Sequence, residues 1–97
     1  MTSPFDLTDR RAVITGASQG IGQAAAIALA RAGVHVAFDY RSATEQAEVT
    51  VEAVKAAGRE VIALRGDTGD PGHIDELADK AVAAWGGIDI WSTTPPG

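Results

Sequence analysis

Short apolar runs of four to six residues alternate along this chain with longer segments of helical period, and that alternation restricts the fold more than any single residue does. The runs are Arg11 to Thr15, His35 to Tyr40, Glu60 to Arg65 and Ile88 to Trp91. Each is rich in Val, Ile, Ala or Leu, and none alternates cleanly with polar residues, as expected of strands covered on both faces. Between the first two, Ile21, Ala24, Ala25, Ala28, Leu29 and Ala32 recur at helical spacing before Gly33, predicting a small-residue helix that lies close to a sheet. A second helix is predicted from Thr44 to Ala57, with Ala47, Val51 and Val54 on one face and Gly58 closing it. In the third, Asp70-Pro71 supplies a capping residue and a first-turn proline. Ile74, Leu77, Ala78, Ala81, Val82 and Trp85 then form an apolar stripe that ends at Gly86-Gly87. Right-handed crossovers turn this β-α-β-α-β-α-β order into an α/β fold with a parallel sheet of order 3-2-1-4 and flanking helices.

The turn between the first strand and the first helix reads Thr15-Gly16-Ala17-Ser18-Gln19-Gly20-Ile21-Gly22. Free backbone N–H groups and the positive end of the helix dipole make such a turn suited to phosphate. Gly16, Gly20 and Gly22 permit the tight turn and a close approach of ligand to backbone, while Ser18 and Gln19 add hydrogen-bonding groups. Glycines in a strand-to-helix turn can also serve structure alone. Context favours a ligand, because a second strand ending in polar residues follows about twenty residues later, where a ribose is read in Rossmann-type domains.

These residues resemble the Thr-Gly-x-x-x-Gly-x-Gly motif of the short-chain dehydrogenases/reductases. Asp9-Arg10-Arg11-Ala12-Val13-Ile14 is similar to that family's first strand, Gly66-Asp67-Thr68 to its turn after the third, and Gly86-Gly87-Ile88-Asp89-Ile90 to its entry to the fourth. The resemblance runs from about residue 7 to 90 and implies the N-terminal part of a single dinucleotide-binding domain. It further implies an NAD(P)-dependent oxidoreductase that interconverts carbonyl and alcohol groups, acting on a small substrate and homo-oligomeric at full length. Gly16, Ser18, Gln19, Gly20, Ile21 and Gly22 would then hold the phosphates. Asp67 would accept a hydrogen bond from the adenine amino group with Thr68 beside it, although an Asp at a strand end also caps turns.

The segment Asp39-Tyr40-Arg41-Ser42 bears on the cofactor. A carboxylate accepts hydrogen bonds from a ribose 2′-hydroxyl, whereas a guanidinium pairs with a 2′-phosphate. By register with the family the NAD-selecting acid would fall at Tyr40, while Arg41 and Ser42 stand where NADP-using members contact the phosphate. NADP(H) is therefore favoured, with NAD as the alternative. Solvated strand-end charges at Asp39 and Arg41 are the plain alternative.

Composition removes other classes. A net charge of −5 with no basic cluster argues against a nucleic-acid surface, and the absence of cysteine excludes a disulfide framework and cysteine-ligated metal. His35 and His73 are too far apart in sequence for an obvious metal site, and both are expected on exposed edges with no chemical role. Met1 to Asp6 lack the features of a signal peptide, and no apolar run reaches membrane-spanning length, so a cytoplasmic location is the default.

At 97 residues the chain is short for a doubly wound domain of two halves, so an incomplete sheet is expected. After Ile90 the family continues with an apolar pair and Asn-Asn-Ala-Gly, whereas this sequence reads Trp91-Ser92-Thr93-Thr94-Pro95-Pro96-Gly97. Two prolines cannot continue a central strand. Deleting one base from GC-rich codons for Leu-Val-Asn-Asn-Ala-Ala-Gly yields these residues, so a frameshift is the expected origin of residues 91–97. The family's catalytic Ser, Tyr and Lys lie farther along, and Tyr40 lacks a lysine four residues on, so no catalytic residue is assigned. A non-catalytic dinucleotide-binding module and an inactive frameshifted fragment remain the other readings. An exposed fourth strand and uncovered sheet are expected to make the chain marginally stable.

Overall fold

The computed structural model describes residues 8–15, 20–40, 44–66 and 71–93. Strands β1 (Arg11–Thr15), β2 (His35–Tyr40), β3 (Val61–Arg65) and β4 (Ile90–Thr93) alternate with helices α1 (Gly20–Arg31), α2 (Thr44–Ala56) and α3 (Pro71–Trp85). The strands form one sheet in the order β3-β2-β1-β4, and every pairing is parallel. Ala12 lies opposite Val36 and Ile90, and Asp39 opposite Leu64.

Strand alternation divides the core between two faces. Ala12, Ile14, Val36 and Phe38 face Ala26 and Ala30 of α1 and Ala47 and Val54 of α2. Val13 and Ala37 face Leu77 and Ala81 of α3. The central strands are buried along their length because helices lie on both sides, which is why β1 and β2 carry no polar alternation. Edge strand β3 is only half covered, and its Ala63 and Arg65 are exposed.

Several expectations need correction. In α1 the sheet-facing residues are Gly22, Ala26 and Ala30, whereas Ile21, Ala24, Ala28 and Ala32 are exposed. A helix made almost entirely of small apolar residues has a weakly marked phase, so periodicity alone placed its stripe wrongly. In α3 Leu77 and Ala81 are buried as expected, but Val82 is exposed and His73 takes a core position. His73 lies in the first turns, facing the sheet, rather than on an exposed edge. His35 is half-buried, with its ring centroid 5.8 Å from that of Trp85. Strand β3 starts one residue later than expected, and β4 is displaced from Ile88–Trp91 to Ile90–Thr93 because Gly87 to Asp89 are spent turning out of α3.

The amino edge of the sheet is closed by polar clips. Arg11 donates from Nε and Nη2 to the two carboxylate oxygens of Asp89 at 2.8 and 3.1 Å, and from Nη1 to the Trp85 carbonyl at 3.0 Å. The Arg11 guanidinium holds the Asp89 carboxyl down at about 2. Asp9, at φ 64°, accepts from Arg59 at 2.8 Å and lies 3.5 Å from His35 Nε2. Gly33 ends α1 at φ 103°, where a side chain would sit 2.8 Å from the Thr8 Cα.

Candidate cofactor-binding site

In a parallel sheet all strands point the same way, so the ends of β1, β2 and β3 and the start of α1 meet at one edge. Thr15 closes β1 and is almost fully buried, and Gly20 opens α1 at φ 62°. That φ lies in the left-handed region that favours glycine, and among the described residues nothing lies within 4 Å of a Cβ placed on Gly20. The first N–H groups of any helix have no partner within it. Ile21, beside Gly20, is 83% exposed, while Gly22, one residue on in α1, is buried. The start of a helix attracts anions through its free N–H groups and dipole.

The second wall comes from β2. Tyr40 is half-buried on the face shared with α1 and α2, and its ring lies 6.4 Å from that of Phe38. Its carbonyl accepts from Gly66 N at 2.8 Å, which ties the end of β2 to the residue just past β3. Behind these ends, α1 is fixed to α2 by Gln23, whose Nε2 donates to Thr50 Oγ1 and to the Gln46 carbonyl, each at 3.1 Å.

Of the residues singled out from sequence, Gly20, Ile21, Gly22 and Tyr40 thus converge on the carboxyl edge. Gly16, Ser18, Gln19, Arg41, Ser42, Asp67, Thr68 and the capping Asp70 lie outside the described residues, as do Pro95 and Pro96. Asp39 is corrected: it is fully buried, facing α3, with its Oδ2 3.1 Å from His73 Nε2, so it is not a solvated strand-end charge. Sequence reasoning missed this pair, although strand alternation already placed Asp39 on the same face as Ala37. Among the described residues no three metal-ligating side chains cluster, and no helix is long and apolar enough to cross a membrane.

Comparison with known proteins bears on the same edge. The profile of the short chain dehydrogenases matches residues 10–93. Versicolorin reductase of Emericella nidulans is 38% identical over 89 residues, which are 92% of this chain and 34% of that protein. The 3beta-hydroxysteroid dehydrogenase 1 of Eggerthella lenta is 38% identical over 86 residues, covering 89% of this chain and 33% of its own length. A short chain dehydrogenase of Burkholderia cenocepacia, solved in complex with NADP, superposes with a TM-score of 0.84 at 40% identity, covering 89% of this chain and 35% of that one. The chain spans about a third of the length of the curated relatives it matches.

Proposed function

The chain belongs to the short-chain dehydrogenase family, and on that premise we propose that it is the cofactor-binding part of an oxidoreductase interconverting carbonyl and alcohol groups with NADP(H). The observation that carries this reading is the convergence of Gly20, Gly22, Tyr40 and Gly66 on one carboxyl edge, with no described residue within 4 Å of a Cβ placed on Gly20. Gly16, Ser18, Gln19, Gly20, Ile21 and Gly22 hold the pyrophosphate, chiefly through backbone N–H groups. Tyr40, Arg41 and Ser42 border the adenosine ribose, and Asp67 and Thr68 receive the adenine. When bound, the dinucleotide supplies or accepts the hydride. The residues of this chain bind and orient it, and none is assigned proton transfer.

Two features favour NADP(H) over NAD(H). Asp39, the one acid near the end of β2, is buried against His73, where it cannot meet a ribose 2′-hydroxyl. Arg41 follows Tyr40 directly and offers a guanidinium to a 2′-phosphate. The NADP-bound relative from Burkholderia cenocepacia is in keeping with this. Titration of the chain with NADPH and NADH, followed by nicotinamide fluorescence, tests the reading. NADPH is expected to bind more tightly, and Arg41→Ala to weaken NADPH by roughly ten- to a hundredfold with little effect on NADH, the scale of a hydrogen-bonded charge. Equal or tighter binding of NADH by the unaltered chain would refute the NADP(H) assignment.

A further inference from the structure

Asp39 and His73 form a polar pair inside the protein that stability alone does not explain. The Asp39 carboxylate is fully buried, His73 is 7% exposed, and Oδ2 lies 3.1 Å from Nε2. A buried pair of this kind can usually be replaced by apolar residues without loss of stability, so its presence points to another role. Its location supplies one. A Cβ placed on Gly66 would overlap the His73 ring, so the imidazole lies directly against the Gly66 backbone. The Gly66 N–H in turn donates to the Tyr40 carbonyl at 2.8 Å. Asp39, Tyr40, Gly66 and His73 therefore make one cluster that joins the ends of β2 and β3 to the first turns of α3. Arg41 is the next residue after Tyr40, and Asp67 the next after Gly66.

We propose that Asp39 and His73 are positioning residues for the adenosine end of the dinucleotide: their contact across Gly66 fixes the ends of β2 and β3 at Tyr40 and Gly66, which Arg41 and Asp67 follow in the sequence, and so sets the preference for a 2′-phosphorylated ribose. The proposal rests on the carboxyl edge being a dinucleotide site. Neither side chain touches the nucleotide. Each acts through the backbone that carries the contacting residues, which a shift of about 1 Å is enough to misplace.

The test compares adenosine 2′,5′-bisphosphate with AMP, two probes that differ only in the 2′-phosphate, by calorimetric titration of the full chain and its variants. The unaltered chain is expected to prefer the bisphosphate. His73→Leu fills the volume but removes the polar contact with Asp39, and is expected to narrow that preference about tenfold. His73→Gln restores a polar side chain beside Asp39 and is expected to recover most of it. Circular dichroism confirms that each variant is folded at the titration temperature, and Gly66→Ala, whose Cβ displaces the ring, replaces His73→Leu if that variant does not fold. A role in stability alone would lower the melting temperature and leave the ratio of the two affinities unchanged, and that result overturns the inference while leaving the site standing. Failure of the unaltered chain to bind either probe overturns both.

Discussion

Substituting leucine along α1 tests the helix phase that separates the structure from the sequence pattern. Ala26 is fully buried between α1 and the sheet, in a cluster with Ile14, Val36 and Phe38, whereas Ala24 and Ala28 face solvent. Ala26→Leu forces three extra carbons into an interface built for close approach, at a cost of about 1–3 kcal/mol. For a domain of this length each kcal/mol moves the melting temperature by about 4–8 °C, so a mid-range cost of about 2 kcal/mol lowers it by about 8–16 °C. Ala28→Leu adds the same atoms in water and is expected to stay within about 0.5 kcal/mol of the unaltered chain. Thermal and urea denaturation followed by far-UV circular dichroism measure both. A destabilising Ala28→Leu with a neutral Ala26→Leu would mean that the apolar stripe through Ala24 and Ala28 is the real core face, and would refute the helix orientation given above. The displacement of α1 should also move Gly20 and Gly22, so Ala26→Leu is expected to weaken NADPH binding where Ala28→Leu does not.

Other expectations concern the amino edge and the glycines. Asp89 is held at about 2, below its ordinary value of 3.8, mainly by the hydrogen bonds from Arg11. Its contribution to stability is therefore complete above about pH 4 and is lost as the pH falls through about 2. In urea titrations Asp89→Asn is expected to flatten the dependence of stability on pH within that window, and an unchanged acid slope would count against the clip. Arg11→Lys loses the two-pronged contact with Asp89 and the bond to the Trp85 carbonyl. It is expected to lower the melting temperature without altering nucleotide affinity, since these residues lie at the opposite edge from the site. Gly33→Ala combines a φ of 103° with a Cβ 2.8 Å from the Thr8 Cα, and is expected to cost about 1–3 kcal/mol in urea denaturation.

The element order, the strand order 3-2-1-4 and the roles of Gly33, Gly58 and Gly86 as helix ends were legible in the sequence, because apolar runs and left-handed glycines are local signals. The phase of α1 was not, since alanines on every side leave the pattern without contrast. His73 and Asp39 were read as surface groups because burial of a charged residue depends on a partner 34 positions away, which no local pattern reports. The Arg11–Asp89 clip joins residues 78 positions apart and was hidden for the same reason. Gly20 opens α1 at φ 62° and is exposed and Gly22 is buried, while Tyr40 ends β2 at the same edge.

If the proposed function holds, the carboxyl edge of the sheet receives the dinucleotide. Backbone amide shifts of the isotopically labelled chain, followed by NMR during titration with NADP⁺, test it most directly. Saturable shifts are expected to concentrate at Gly20, Ile21, Gly22, Tyr40 and Gly66, with Asp9, Arg11, Arg59 and Asp89 at the amino edge unmoved. Shifts centred on the amino edge, or spread without saturation over both edges, would contradict it.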